Sequence, residues 1–262
     1  MFRYKILIEY DGCRFHGWQR QDGVKTVQAS IEDALCKMVK HETLVEGAGR
    51  TDAGVHATGQ VGHFDLLKFY DCCRLLQGMN HYLRNSGVVI VDVKEVPLFF
   101  HARFSAINRT YNYCIANRQA PLALDHDRAW HVMLPLDVAL MREAAQIFVG
   151  HHDFSAFRAS ACQSKTPHKT VTRFDIETAE DGQKIKAIIE ARSFLHNQVR
   201  IMMGTLKLVG RGKLTPSDLK TILETGDRTL AGPTAPPHGL YLVDVGYKTG
   251  SNIDITQEGI HV

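Results

Sequence analysis

The sequence predicts an α+β protein of two ferredoxin-like halves, each a split βαβ unit with a mainly antiparallel sheet, flanking a central catalytic cleft. Three observations carry that expectation. Apolar periods of 2 and about 3.6 alternate as strand, helix, strand, strand, helix, strand between Arg3 and Val96. The same order returns with longer insertions between Arg109 and Tyr247. Between the two middle strands of the first half lies Gly47 to Phe64, GAGRTDAGVHATGQVGHF, where glycines and charges are densest. The expected division is 1–103, 104–248 and a tail of 249–262; it rests on element order, because the halves share little residue-level similarity.

Arg3 to Tyr10 alternates as a strand, with Tyr4, Ile6 and Ile8 on one face, and Asp11-Gly12 ends it. Thr26 caps a helix in which Val27, Ile31, Ala34, Leu35, Met38 and Val39 face inward and Glu32 and Asp33 face water. Leu44 to Ala48 and Gln60 to Phe64 are strands on either side of the glycine-rich loop. A second helix spans about Asp71 to Leu83, and Val88 to Val96 closes the half. In the second half Arg109 to Ala116 is a strand. Pro135 or Asp137 then opens a helix with Ala139, Leu140, Ala144, Ile147 and Phe148 inward, stopped by Gly150. His151 to Thr170 reads as a polar loop. Val171 to Thr178 and Lys184 to Ala191 form a hairpin about Glu180-Asp181-Gly182, Asn197 to Leu208 is a helix, Thr215 starts another, and Leu240 to Tyr247 is a closing strand.

Composition narrows the function classes. No apolar run reaches the roughly 20 residues that span a bilayer, and Met1 to Lys5 leads into a strand and not into a signal peptide, so a cytoplasmic protein is expected. The six cysteines show no CxxC pair and the fourteen histidines no HExxH, so no metal is expected. A formal charge of +3 permits a polyanionic partner through segregated charge without demanding one.

If Arg50 to Asp52 is extended, the two side chains share a face and the guanidinium holds the carboxylate in a two-pronged geometry, ready as nucleophile or base. A turn with a surface ion pair uses the same residue types. The length of the pattern decides against it: G-R-T-D-A-G-V-H from Gly49 to His56, followed by Thr58-Gly59-Gln60-Val61 and His63-Phe64, strongly resembles the tRNA pseudouridine synthases of the TruA type. The resemblance implies a pseudouridine synthase fold with Asp52 as the catalytic residue.

Two further stretches resemble the same family. In Arg109-Thr110-Tyr111-Asn112-Tyr113, the resemblance implies that Tyr111 lies over the target base, with Tyr113 the candidate for a packing role. Ser193 to Arg200 resembles F-L-x-x-x-V-R, which implies that Arg200 reaches Asp52; Ile201 stands where the family commonly has Asn. Ala235-Pro236-Pro237-His238-Gly239-Leu240 resembles A-P-x-x-G-L, which makes Leu240 a candidate pocket wall.

The implied activity is isomerisation of uridine to pseudouridine at positions 38, 39 and 40 in the anticodon stem-loop of tRNA, without a cofactor, by a homodimer in which one tRNA touches both subunits. The target must leave the stack, and Arg50 is placed to enter the vacated space. Lys165, His168, Lys169 and Arg173 are candidates for the shared RNA-binding face. Two rival classes fit less well. A stacking RNA-binding module has no use for Asp52, and a hydrolase with an Asp nucleophile normally carries a metal-binding carboxylate cluster absent around Asp52 in sequence.

Overall fold

A computed structural model describes residues 1–179 and 182–248. The expected turn residues Glu180 and Asp181 and the expected tail 249–262 lie outside the described residues. The first half is β1 (Phe2–Tyr10), α1 (Val27–Val39), β2 (Glu46–Gly47), β3 (His56–Leu66), α2 (Cys72–Leu83) and β4 (Val88–Val96). Thr26 and Asp71 cap the two helices by accepting from Ala29 N and Arg74 N. β1 lies between β4 and β3, antiparallel to both, and β2 pairs with β3 at Gly62 and His63. The order β4-β1-β3-β2 is that of a ferredoxin-like unit.

The second half is β5 (Ala106–Asn117), β6 (Trp130–Val132), α3 (Val138–Ala145), β7 (Gly150–Asp153), β8 (His168–Thr178), β9 (Lys184–Ala191), α4 (Gln198–Gly210), α5 (Pro216–Thr225) and β10 (Leu240–Tyr247). Its order β10-β5-β9-β8 repeats that of the first half, and β7 extends the edge beyond β8. The halves meet where β10 runs parallel to the start of β3, Tyr241 beside His56 and Leu242 beside Ala57. One ten-stranded sheet results. Gly59 permits the meeting, because a Cβ there would stand 2.0 Å from the Val243 carbonyl oxygen.

Burial of apolar side chains on the helical side forms two core clusters. Ile6, Ile8, Ile31, Leu35, Phe64, Leu75 and Met79 belong to the first. Phe148, Phe154, Phe157, Phe174, Met202, Leu206 and Leu219 belong to the second, and Tyr111 packs against both.

Three expectations are corrected. Glu32 is buried, because its carboxylate accepts from Arg20 Nε (2.6 Å), Gln28 Nε2 (3.1 Å) and Val45 N (3.0 Å), partners that compensate its desolvation. Ala139 is exposed, and Met141 and Ala145 join the expected Ala144 on the buried face of α3. The segment expected as a loop contains β7 and the start of β8, paired from Gly150 and Val171 to Asp153 and His168.

Candidate active site

The loop between β2 and β3 is fixed by contacts from distant parts of the chain. Gln60 Nε2 donates to Gly49 O (2.9 Å), Trp18 N to Thr51 O (3.1 Å), and Arg109 Nη2 to Ala48 O (2.8 Å). The Tyr10 hydroxyl shares a hydrogen bond of 2.8 Å with Thr51 Oγ1. Val55 N closes a turn on Asp52 O (3.1 Å), and Gly54 takes the left-handed conformation (φ 80°) that the turn requires.

Asp52 projects from this turn with its side chain 27% exposed. Arg200 Nη1 donates to Oδ2 at 3.0 Å, and His196 Nε2 lies 3.4 Å from Oδ1. Both come from the second half. Asn197, held at φ 62°, starts α4 and turns Arg200 toward the loop, while Arg200 also donates to Ala235 O and Asn197 Oδ1, each at 2.8 Å. Arg200 therefore gives Asp52 one hydrogen bond and spends its other contacts on fixing itself. His196 serves the other oxygen.

Arg50 does not meet Asp52. Its side chain is exposed and Nη1 donates to Gln163 Oε1 at 3.1 Å. The expected pair assumed that a two-residue period puts both side chains on one face, but positions 50 to 52 belong to no strand; Arg50 reaches Gln163, while Asp52, at the head of the 52–55 turn, is met by Arg200 and His196. The carboxylate is met from across the sheet.

Tyr111, on β5, is half-buried with its ring edge-on to Phe194 at 5.3 Å. Burial raises its phenol pKa, and the nearby Tyr10 and Asp52 add to the shift, so it is protonated at neutral pH. Its hydroxyl has no hydrogen bond among the described residues. Tyr113 is fully buried and donates to Pro236 O at 2.8 Å, a packing role. Leu240 is buried opposite Tyr113 in the β5–β10 ladder, two pairs from Leu242 and Tyr111. Tyr10, pushed up to about 12 by burial, supports the loop from behind.

His196, Tyr10 and Arg109 were not legible as site residues. For His196 a signal existed, its place inside the stretch that carries Arg200.

Two groups have ligand types that suit a metal, Asp11, Cys13 and His56, and Glu46, His63 and His101. Hydrogen bonding sets each histidine against coordination through Nε2: Nδ1 of His56, His63 and His101 accepts from Gly12 N, Ala102 N and Arg103 N, which leaves the proton on Nε2 of the neutral ring.

Comparison with known proteins agrees with these motifs. The sequence matches the family described as tRNA pseudouridine synthase over residues 6–105 and 144–248. It is 51% identical over 247 residues to tRNA pseudouridine synthase A of Paramagnetospirillum magneticum, covering 94% of this chain and 96% of that one. Identity to the protein of the same name from Anaplasma phagocytophilum is 52% over 247 residues, 94% of this chain and 100% of the relative. A solved H/ACA RNP bound to a substrate RNA containing 2′-deoxyuridine covers 76% of this chain and 45% of its own, at 11% identity and a TM-score of 0.33, a likeness too slight to carry an argument.

Proposed function

The chain belongs to the tRNA pseudouridine synthase family, and from that premise we propose that its Asp52 carboxylate drives isomerisation of uridine to pseudouridine at positions 38, 39 and 40 in the anticodon stem-loop of tRNA. The observation that carries the assignment is the Asp52 carboxylate, presented on a braced turn and met by Arg200 across the junction of the halves. Substrate and product are isomers, so the reaction balances internally. The N1 to C1′ bond breaks, uracil turns, C5 bonds to C1′, the C5 proton leaves and N1 regains one. Attack on C1′, attack on C6 and removal of the 2′ proton all begin from the same carboxylate.

The remaining roles follow from position. Arg200 and His196 orient the two oxygens of Asp52. Tyr111 offers a ring face and a protonated phenol, and Leu240 contributes to the apolar wall beside it. Arg50 leaves its exposed hydrogen bond with Gln163 to fill the space of the flipped nucleotide. Exposed Leu98, Phe99 and Phe104 supply apolar surface that a second copy would cover in a homodimer. Among the described residues no helix is long and apolar enough to cross a membrane, and a cytoplasmic setting fits a tRNA substrate.

The test is to map pseudouridine in unmodified tRNA transcript treated with the purified protein and with Asp52→Asn. The wild type is expected to convert the three positions, and the variant to lose at least about 10³-fold in rate with its fold retained. Binding of tRNA without conversion by the wild type would favour the non-catalytic RNA-binding module. Normal turnover by Asp52→Asn, with deamidation excluded, would remove the carboxylate from the mechanism.

A further inference from the structure

A second concave surface opens at the same end of the sheet as the Asp52 loop. It is a groove of about 780 Å³ formed by the end of β1, the end of α2 and the starts of β3, β4 and β10. Arg14, Arg84, Arg128, Asn80, Asn85 and Tyr241 supply its polar lining. We infer that this groove is a phosphate-binding track for the RNA strand that runs on from the target uridine, an inference that rests on the tRNA reading of the Asp52 site.

Charge supports it first. Asp11 Oδ2 takes Arg128 Nη2 at 3.1 Å and lies 3.4 Å from Arg14 Nε, so one carboxylate holds two guanidiniums. Arg84 is exposed and has no side-chain partner among the described residues. Glu9 is the other acidic residue of the lining, which leaves three guanidiniums against two carboxylates. Unspent N–H donors on positioned guanidiniums suit phosphate oxygens.

Rigidity supports it next. Arg14 Nη1 donates to Asn85 O (3.4 Å), and the Tyr241 hydroxyl donates to Arg128 O (2.8 Å). Tyr241 in turn stacks on His56 with ring centroids 4.7 Å apart. Arg128 is thus tied through Tyr241 to the residue that ends the G-R-T-D-A-G-V-H stretch, and Arg14 to the loop after α2. A groove tied in this way is set before RNA arrives and loses little freedom on binding it.

Continuity identifies the ligand as a polymer. Tyr10 lines the groove and its hydroxyl bonds Thr51, the neighbour of Asp52. A nucleotide seated at Asp52 brings flanking backbone with it, and the groove is joined to that seat through Tyr10 and Thr51. Phosphate contacts of this kind fix register without reading sequence.

The experiment measures the Kd of unmodified tRNA transcript from 50 to 200 mM salt, together with kcat/KM, for the wild type, Arg84→Gln and the double variant Arg14→Gln/Arg84→Gln. Each guanidinium removed is expected to flatten the slope of log K against log salt by about 1, raise Kd several-fold and lower kcat/KM by the same factor. Among the described residues the exposed Arg84 side chain has no hydrogen bond or ion pair, so its substitution reads the groove with little effect on folding. An Arg84→Gln protein with the wild-type Kd and salt slope overturns the inference. A wild type that forms no pseudouridine would instead defeat the functional reading on which the groove rests, so the two failures are separable.

Discussion

The two halves share one strand order, yet their second strands differ greatly: β2 has two residues, and its counterpart β8 has eleven. The difference accounts for where the site lies. A full-length β2 would occupy the whole edge of β3. Because β2 stops at Gly47, the start of β3 at His56 and Ala57 is free to take β10 as a parallel neighbour, and the chain between becomes the loop that carries Asp52. In the second half the long hairpin of β8 and β9 completes its sheet, and the start of α4 and the segment before it carry Arg200 and His196 to the junction. One half presents the carboxylate and the other orients it.

The sharpest way to break this comparison is to remove what the second half contributes. Arg200→Ala takes away the 3.0 Å partner of Asp52 and the link to Ala235. The rate constant kcat is expected to fall by about 10²-fold or more, since a positioned charged donor in a partly buried site is worth several kcal/mol. His196→Ala, removing an exposed partner at 3.4 Å, is expected to cost about tenfold or less in kcat, with partial rescue by His196→Gln. Single-turnover rates decide it. A larger loss from His196 than from Arg200 would reverse their roles.

A smaller effect tests the junction. An alanine Cβ at Gly59 meets the Val243 carbonyl at 2.0 Å, whereas at Gly49 it meets nothing within 4 Å. Gly59→Ala is therefore expected to destabilise by about 1–3 kcal/mol. That corresponds to a loss of several degrees in Tm at about 2–4 °C per kcal/mol for a chain of this size. Gly49→Ala is expected to leave Tm nearly unchanged. Equal Tm values for the two variants would show that β3 and β10 part without cost.

Most of the fold was legible because it rests on local period. The caps Thr26, Asp71 and Thr215 and the apolar faces of α1, α2 and α4 are written within single stretches. What escaped depends on partners far along the chain. β7, with sequence GHHD, has no strand pattern of its own and exists through pairing with β8. Glu32 sits on a side of its helix that reads as wet, and Arg20 and Val45 N bury it. The site divides likewise. The stretches holding Asp52, Tyr111 and Arg200 pointed to one centre, but the two-residue period put Arg50 beside Asp52, whereas its side chain reaches Gln163. No period could place His196, since Asn197 breaks regular backbone just after it.

The smallest effect expected is a pH dependence that separates the halves. Burial lowers the pKa of His56 and of His63, on β3, and also that of His238, in the turn before β10. An unfolded imidazole titrates near about 6.5. Each of these groups has a lower folded value, so below that pH the unfolded state binds more protons than the folded one. Their stability contribution is complete above about pH 6.5 and is lost as pH falls from there toward the folded values. All three lie on β3 or at its junction with β10, away from the β8–β9 hairpin. Acid should therefore loosen the first half and the junction first. Amide hydrogen exchange, corrected for intrinsic rates, should show β1, β3 and β10 losing more protection between pH 7.5 and 5.5 than β8 and β9. Equal or greater loss in the hairpin would mean that other groups govern the response, and that the burial of His56 and His63 does not set the acid stability of the first half.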